Sequence, residues 1–253
     1  MLEICIDLSG LLYLCIKYNT KNMKGTLGKA INAAIDTFQQ NELAYLALQG
    51  KIELQLRDKI AWYLQQNLPN LQNLPAGVEY VRKEFGIGGR SKCDLALLDG
   101  NMKPLCLIEF KAHSSATDEH KPGTKSGYYA KCATDIAKMK DMENALKKQP
   151  NSPSIQKFYV FFQTTHEGTL PNDLLGNTMI TYFNPNVIKG YNALDGYLKS
   201  NSGNTVFGFI QEQWESAKYN DLDKENSFHH QENYAGCYYG LDVKIHSMII
   251  ECK

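Results

Sequence analysis

The chain has 253 residues, 43% of them hydrophobic and 21% charged, which is the composition of an ordinary globular protein long enough for one large domain. Its formal net charge is zero, so no overall field favours a nucleic acid or a membrane, and DNA binding would require a local basic face. The 7 cysteines include no Cys-x-x-Cys pair, which excludes an obvious zinc site and predicts reduced thiols in the cytoplasm.

Membrane association is not expected. The first residues are apolar but include Glu3 and Asp7, where a signal peptide would be basic. No apolar run is long enough to cross a bilayer, so we predict a cytoplasmic protein without a membrane partner.

Apolar residues with helical spacing predict helices over 26–48 and 51–66, and a connection rich in proline and asparagine follows at 67–77. Residues 78–85 are predicted to form a strand. Two apolar runs around the turn sequence Asp-Gly-Asn-Met-Lys-Pro then predict a β-hairpin over 93–113.

A second amphipathic helix is predicted over 128–148, with strands at 158–163 and 178–183. A strand, a crossover helix and another strand form a right-handed βαβ unit, which implies a partly parallel sheet. Beyond residue 190 the pattern is weaker. Strand-like runs at 205–210 and 237–250 surround a polar stretch in which His229 and His230 are predicted to lie in a loop.

Charged residues occur at the open end of the predicted hairpin. If Leu98 pairs with Leu105, the same register places Asp94 opposite Glu109, with Cβ atoms about 4.5–5.5 Å apart. Because side chains alternate along a strand, Glu109 and Lys111 share one face. A slip of one residue would separate the two carboxylates.

Two close carboxylates raise the pKa of one of them unless a cation lies between them. Magnesium binds oxygen ligands and usually takes only one or two protein carboxylates. A neighbouring lysine can orient a water, help to deprotonate it, or stabilise charge on a phosphate. These residue types therefore suit metal-assisted hydrolysis of a phosphodiester.

The arrangement of Asp94, fourteen further residues, and then Glu109-Phe110-Lys111 resembles the active-site signature of the restriction-endonuclease-like, or PD-(D/E)xK, nuclease superfamily. The predicted element order matches the common core of that superfamily over about residues 45–185. Cys93 stands where the motif has its proline, a position at which the family is tolerant. The resemblance implies an α/β fold with a restriction-endonuclease-like core, in which helices flank a mixed central sheet.

The resemblance also implies roles for individual residues. Asp94, Glu109 and the Phe110 carbonyl would bind Mg²⁺, for which Mn²⁺ would substitute, and Lys111 would be the catalytic lysine. Glu53, on the first core helix, would be a further metal contact, although an ordinary ion pair with Arg57 four residues later explains it equally well.

The implied activity is that of a magnesium-dependent DNA endonuclease of the restriction type. The crossover helix lacks the Gln-xxx-Tyr pattern of the exonuclease branch. Double-stranded DNA would be the substrate, and cutting both strands predicts a homodimer. Arg90 and Lys92 near the hairpin entrance, and Lys131 and Lys138 on the crossover helix, are candidate phosphate contacts, although such lysines are as often simply solvated. No phosphate-binding loop occurs, so no nucleotide cofactor is expected.

We predict three segments. Residues 1–44 form a helical and extended segment that packs on the core, 45–185 form the nuclease core, and 186–253 form a C-terminal extension with specificity or dimer contacts. Three other interpretations stay open. They are a repair or recombination nuclease that recognises DNA structure, a DNA-binding relative that does not cleave, and a surface salt-bridge cluster without catalytic function.

Overall fold

The computed structural model describes residues 3–6, 12–15, 21–50, 52–87, 91–113, 128–148, 154–168, 205, 208 and 228–252. Its helices are α1 (Lys21–Ile35), α2 (Glu42–Gln49), α3 (Glu53–Asn67) and α4 (Tyr128–Lys147), and a 3-10 turn spans Leu68–Asn70. Its strands are β1 (Glu3–Ile6), β2 (Leu12–Cys15), β3 (Tyr80–Ile87), β4 (Ser91–Leu98), β5 (Pro104–His113), β6 (Gln156–Glu167), β7 (Phe228–Tyr238) and β8 (Leu241–Cys252). None of the described helices combines the length and the apolar character needed to cross a membrane.

A six-stranded mixed sheet forms the centre of the fold, with the strand order β3-β4-β5-β6-β8-β7. Strands β5 and β6 are parallel and are connected through α4, as the predicted βαβ unit requires. The other neighbouring strands of this sheet pair antiparallel. Strands β1 and β2 form a separate two-stranded hairpin. The prediction of a mixed sheet flanked by helices is therefore confirmed.

The central sheet is covered on both faces. Helices α1, α2 and α3 pack on the face that carries Leu95 and Ile108, whereas α4 packs on the face that carries Ala96 and Leu107. This division follows from the alternation of side chains along β4 and β5. Since both faces are covered, these strands consist of nearly continuous apolar residues.

The register of the β4–β5 hairpin agrees with the sequence prediction near the charged end. Leu95 pairs with Ile108, and the next two pairs continue in the same register. A bulge after Leu97 makes Leu98 pair with Pro104 rather than with the predicted Leu105. Because the bulge lies towards the turn, the register beside Asp94 and Glu109 is unaffected.

The predicted helix over 26–48 is wrong in one respect, because the chain forms two helices with a break between them. Asn41 occupies the break in the left-handed conformation, with φ 65°, and its side-chain carbonyl accepts a hydrogen bond of 2.9 Å from the backbone N–H of Cys237. A Cβ atom on Gly236 would lie 2.8 Å from the Asn41 Cα atom, so β7 approaches this break too closely for any side chain. Tertiary packing thus interrupts a segment with continuous helical spacing.

The strand-like run at 237–250 belongs to an antiparallel hairpin, β7–β8, in the central sheet. The loop predicted for His229 and His230 is wrong, since these residues lie in β7 and pair with Ile249 and Met248. As an edge strand, β7 tolerates polar residues that hide its propensity in the sequence. The strand predicted at 178–183 lies outside the described residues, as does nearly all of 205–210. The boundaries 1–44, 45–185 and 186–253 stay predictions.

Candidate active site

The β4–β5 ladder opens into a fork beyond the pair of Leu95 and Ile108. At this fork, side-chain carboxylates accept hydrogen bonds from the strand backbone. The N–H of Asp94 donates to Glu109 Oε2 at 3.3 Å, and the N–H of Phe110 donates to Asp94 Oδ2 at 2.9 Å. Each strand therefore holds the carboxylate of the other, which is the juxtaposition that the predicted register requires.

Two further predicted groups face the same fork. The N–H of Ala112 donates to Glu53 Oε2 at 3.0 Å, so the first residue of α3 reaches β5. Because the N–H and C=O of one strand residue point to the same side, the Phe110 carbonyl faces Asp94. The fold thus brings Glu53, Asp94, Glu109 and the Phe110 carbonyl to one edge of β5.

Glu109 is the most deeply buried acid of the fork, with 6% of its side chain exposed. Lys138 of α4 donates to its Oε1 atom at 2.5 Å. Burial and the neighbouring Asp94 carboxylate raise the pKa of Glu109 to about 7, although the Lys138 ammonium partly offsets them. Burial and the second carboxylate therefore disfavour the ionised form of Glu109, which a cation beside it stabilises.

Lys111 lies on the same face of β5 as Glu109, and both side chains contact α4. Its Nζ atom is 3.6 Å from Asp135 Oδ2. Burial favours the neutral amine, but the carboxylates of Glu53 and Asp135 outweigh it and raise the pKa of Lys111 above the ordinary value. Lys111 is consequently an ammonium group at neutral pH.

Arg57, on the opposite face of the sheet from α4, is the counter-ion of Asp94. Its side chain is 9% exposed, and its guanidinium lies 3.6 Å from Asp94 Oδ1, 3.0 Å from Asp58 and 3.9 Å from Glu84. The Asp94 carboxylate thus forms an ion pair with a guanidinium group of α3, whereas the Glu109 carboxylate forms one with an ammonium group of α4. This role of Arg57 has no signal in the local sequence, where only its spacing from Glu53 is visible.

Asp135 belongs to the crossover helix α4. In the fold its carboxylate lies between two lysines, 3.6 Å from Lys111 Nζ and 3.7 Å from Lys138 Nζ. The i, i+3 spacing of Asp135 and Lys138 places them one turn apart on α4, opposite Glu109 and Lys111. The fold therefore forms a ring of alternating charges between α4 and β5.

The four residues predicted to contact phosphates differ in their surroundings and in whether the structure describes them. Lys138 turns inward to Glu109. Lys92 is 63% exposed in its side chain and lies 3.5 Å from Glu84, so its ammonium faces solvent at the entrance to the hairpin. Lys131 belongs to α4, but its side chain is outside the described part of the structure, and Arg90 lies outside the described residues altogether.

The chemistry of the donors fits a hard divalent cation. Asp94, Glu109 and the Phe110 carbonyl offer only oxygen atoms. Burial and, after it, the neighbouring Asp94 carboxylate raise the pKa of Glu109, so a cation beside this group would be favourable. Within the described ranges, no group of three or more His, Cys, Asp or Glu side chains lies close enough together to hold a metal. A cation at this fork would therefore rely on two carboxylates, as magnesium sites often do.

Comparison with known proteins adds no identification. No family model, no curated protein and no solved structure matches the chain.

Proposed function

We propose that this protein is a magnesium-dependent DNA endonuclease with a restriction-endonuclease-like core. The observation that carries the proposal is the β4–β5 fork, where Asp94 and Glu109 each accept a hydrogen bond from the other's strand. Lys111 lies two residues beyond Glu109 on the same face, and its pKa is raised by neighbouring carboxylates. Two carboxylates and an ammonium group in this arrangement suit hydrolysis of a phosphodiester.

The proposed roles follow from the contacts. Asp94, Glu109 and the Phe110 carbonyl would hold Mg²⁺ or Mn²⁺. Glu53, the further metal contact that the resemblance implies, also accepts the Ala112 N–H and supports the backbone beside them. When bound, the metal would polarise the phosphate and lower the pKa of a bound water. Of the three roles that a lysine could play here, the ammonium form of Lys111 favours stabilisation of charge on the phosphate over deprotonation of the water.

Double-stranded DNA is the proposed substrate, cut by a homodimer in the cytoplasm, with restriction or another defence against foreign DNA as the biological role. Lys92, whose side chain is exposed at the entrance to the hairpin, is the proposed phosphate contact there. A repair or recombination nuclease that recognises DNA structure uses the same chemistry, and its product pattern distinguishes it.

The test is incubation of supercoiled plasmid with the protein and Mg²⁺. We expect the wild type to cleave, and Asp94→Asn and Lys111→Met to lose cleavage. Asp141→Asn and Lys148→Met are matched controls, because both residues are exposed on or beside α4 and away from the fork. Discrete fragments support sequence-specific cutting, whereas selective nicking of branched DNA supports the repair or recombination nuclease. Absence of cleavage by the wild type on every DNA tested would refute the proposal.

A second candidate function is DNA binding without cleavage by a protein of the same fold. The observation that favours it is that the charges of the fork have partners within the protein: Arg57 for Asp94, Lys138 for Glu109 and Asp135 for Lys111. Such a network can serve stability alone. Under this candidate, the wild type and the variants above bind plasmid equally and none of them cleaves it.

A further inference from the structure

The contact between Lys138 and Glu109 joins an accessible cation to a buried anion. The Lys138 side chain is 23% exposed, whereas that of Glu109 is 6% exposed, and Nζ lies 2.5 Å from Oε1. Glu109 is held on a central strand, β5, and Lys138 on the helix that covers it. The ammonium group therefore closes the solvent side of the Glu109 carboxylate.

Both carboxylate oxygens of Glu109 accept hydrogen bonds. Oε2 accepts the Asp94 N–H, and Oε1 accepts the Lys138 ammonium. A divalent cation that binds this carboxylate approaches from the accessible side and meets a positive charge already in contact with Oε1. Two cations on one partly buried carboxylate repel strongly, because the low dielectric there screens them poorly.

The Lys138 ammonium group can move away from Glu109 without disturbing α4. The helix is anchored by apolar side chains on its inner face, among them Cys132, Ile136 and Met139. The lysine side chain is a flexible four-carbon stem with a compact charge, so its ammonium can swing outward while the helix stays in place. Asp135, whose Oδ1 atom is 3.7 Å from the Lys138 Nζ atom, is a second carboxylate beside it.

We propose that Lys138 is a built-in counter-ion that competes with the divalent metal for Glu109 and is drawn away by a DNA phosphate. The inference rests on the proposed function, because it assumes that Glu109 binds the metal. Its consequence is that DNA and metal bind cooperatively. A phosphate that pairs with Lys138 uncovers Glu109, and a metal on Glu109 releases Lys138 for the phosphate.

The test measures Mn²⁺ affinity by electron paramagnetic resonance of the free ion, with DNA absent. We expect Lys138→Met to bind Mn²⁺ about tenfold more tightly than the wild type, whereas Lys138→Arg and the exposed control Lys148→Met stay within about twofold of it. In a Lys111→Met background, in which cleavage should be slow, a short DNA duplex should tighten Mn²⁺ binding. This effect should be lost when Lys138→Met is added.

The outcomes separate the two proposals. If Lys138→Met and the wild type bind Mn²⁺ equally while the wild type cleaves plasmid, the competition is refuted and the proposed nuclease stands. If no variant binds Mn²⁺ and the wild type does not cleave, both are refuted. Circular dichroism checks the fold of each variant, and Lys138→Gln provides the same measurement with a polar side chain should Lys138→Met not fold.

Discussion

Arg57 on α3 and Asp94 on β4 lie within 3.6 Å of each other, measured from Nη1 to Oδ1. The second oxygen of Asp94 accepts the N–H of Phe110 on β5. One carboxylate therefore connects a helix to two strands at the point where those strands separate. This side chain therefore has a structural role beside its proposed role in metal binding, and suitable substitutions can distinguish the two.

Replacement of Arg57 by methionine should lower the free energy of unfolding by about 1–3 kcal/mol, because it removes the buried partner of Asp58 and Asp94. Urea denaturation measures this change. Gln55→Met, on the exposed side of the same helix, is the control and should stay within about 0.5 kcal/mol of the wild type. Equal stability of the two variants would show that the guanidinium contributes nothing at this fork.

Asparagine and alanine at position 94 should behave differently. Asp94→Asn retains an oxygen that accepts the Phe110 N–H, so its free energy of unfolding should stay within about 1 kcal/mol of the wild type. Asp94→Ala leaves that N–H without its acceptor and should cost about 1–3 kcal/mol. Both should lose plasmid cleavage. An active Asp94→Asn would contradict a metal-binding role for the carboxylate.

Lys111→Met should reduce the single-turnover cleavage rate by about 10²–10³-fold, because the positive charge proposed to stabilise the phosphate is lost. Lys111→Arg retains the positive charge and should recover part of the rate. Quenched-flow measurement with saturating protein checks both. If Lys111→Arg is as inactive as Lys111→Met, proton transfer rather than charge stabilisation is the role of this residue.

His246 should make stability depend on pH. Burial, opposed by Glu232 and supported by His230 and Lys244, lowers the pKa of His246 to about 4, and its Nε2 atom lies 2.9 Å from Thr165 Oγ1. The unfolded chain binds a proton near pH 6.5 that the folded chain excludes, so stability falls as the pH drops from 7 to 4.

At pH 4, His246 should lower the free energy of unfolding by about 3 kcal/mol relative to pH 7. The His246→Gln variant should not show this decrease. Urea denaturation of both proteins at several pH values measures the difference. Curves that stay parallel between pH 7 and pH 4 would show that His246 is protonated equally in the folded and unfolded chains.

Lys157 on β6 and Glu143 on α4 form a buried ion pair that fixes the C-terminal half of the helix bearing Asp135 and Lys138. Lys157→Met should destabilise the protein by about 3 kcal/mol, since Glu143 stays buried with only Lys147 as a partner. The double variant Lys157→Met/Glu143→Leu should recover much of that loss. Additive losses in thermal or urea denaturation would show that the two residues are independent.

The register of the β4–β5 hairpin beside its charged end can be predicted from the sequence, whereas the bulge after Leu97 cannot. A turn-forming sequence between two apolar runs centres the hairpin, and a shift by one residue would separate Asp94 from Glu109. That register brings Asp94 to Glu109 and places Lys111 on the face of Glu109. The crossover to β6 is equally local, since the period of apolar residues changes from strand to helix and back.

The partners of these charges were decided only by the tertiary structure. Arg57 and Lys138 arrive from helices on opposite faces of the sheet, and a one-dimensional pattern does not say which solvated-looking cation turns inward. The insertion of β8 between β6 and β7, and the break at Asn41, also depend on segments far apart in the chain. Local periodicity specifies which residues face each other within a hairpin, whereas the packing of distant helices and strands specifies the charges that surround them.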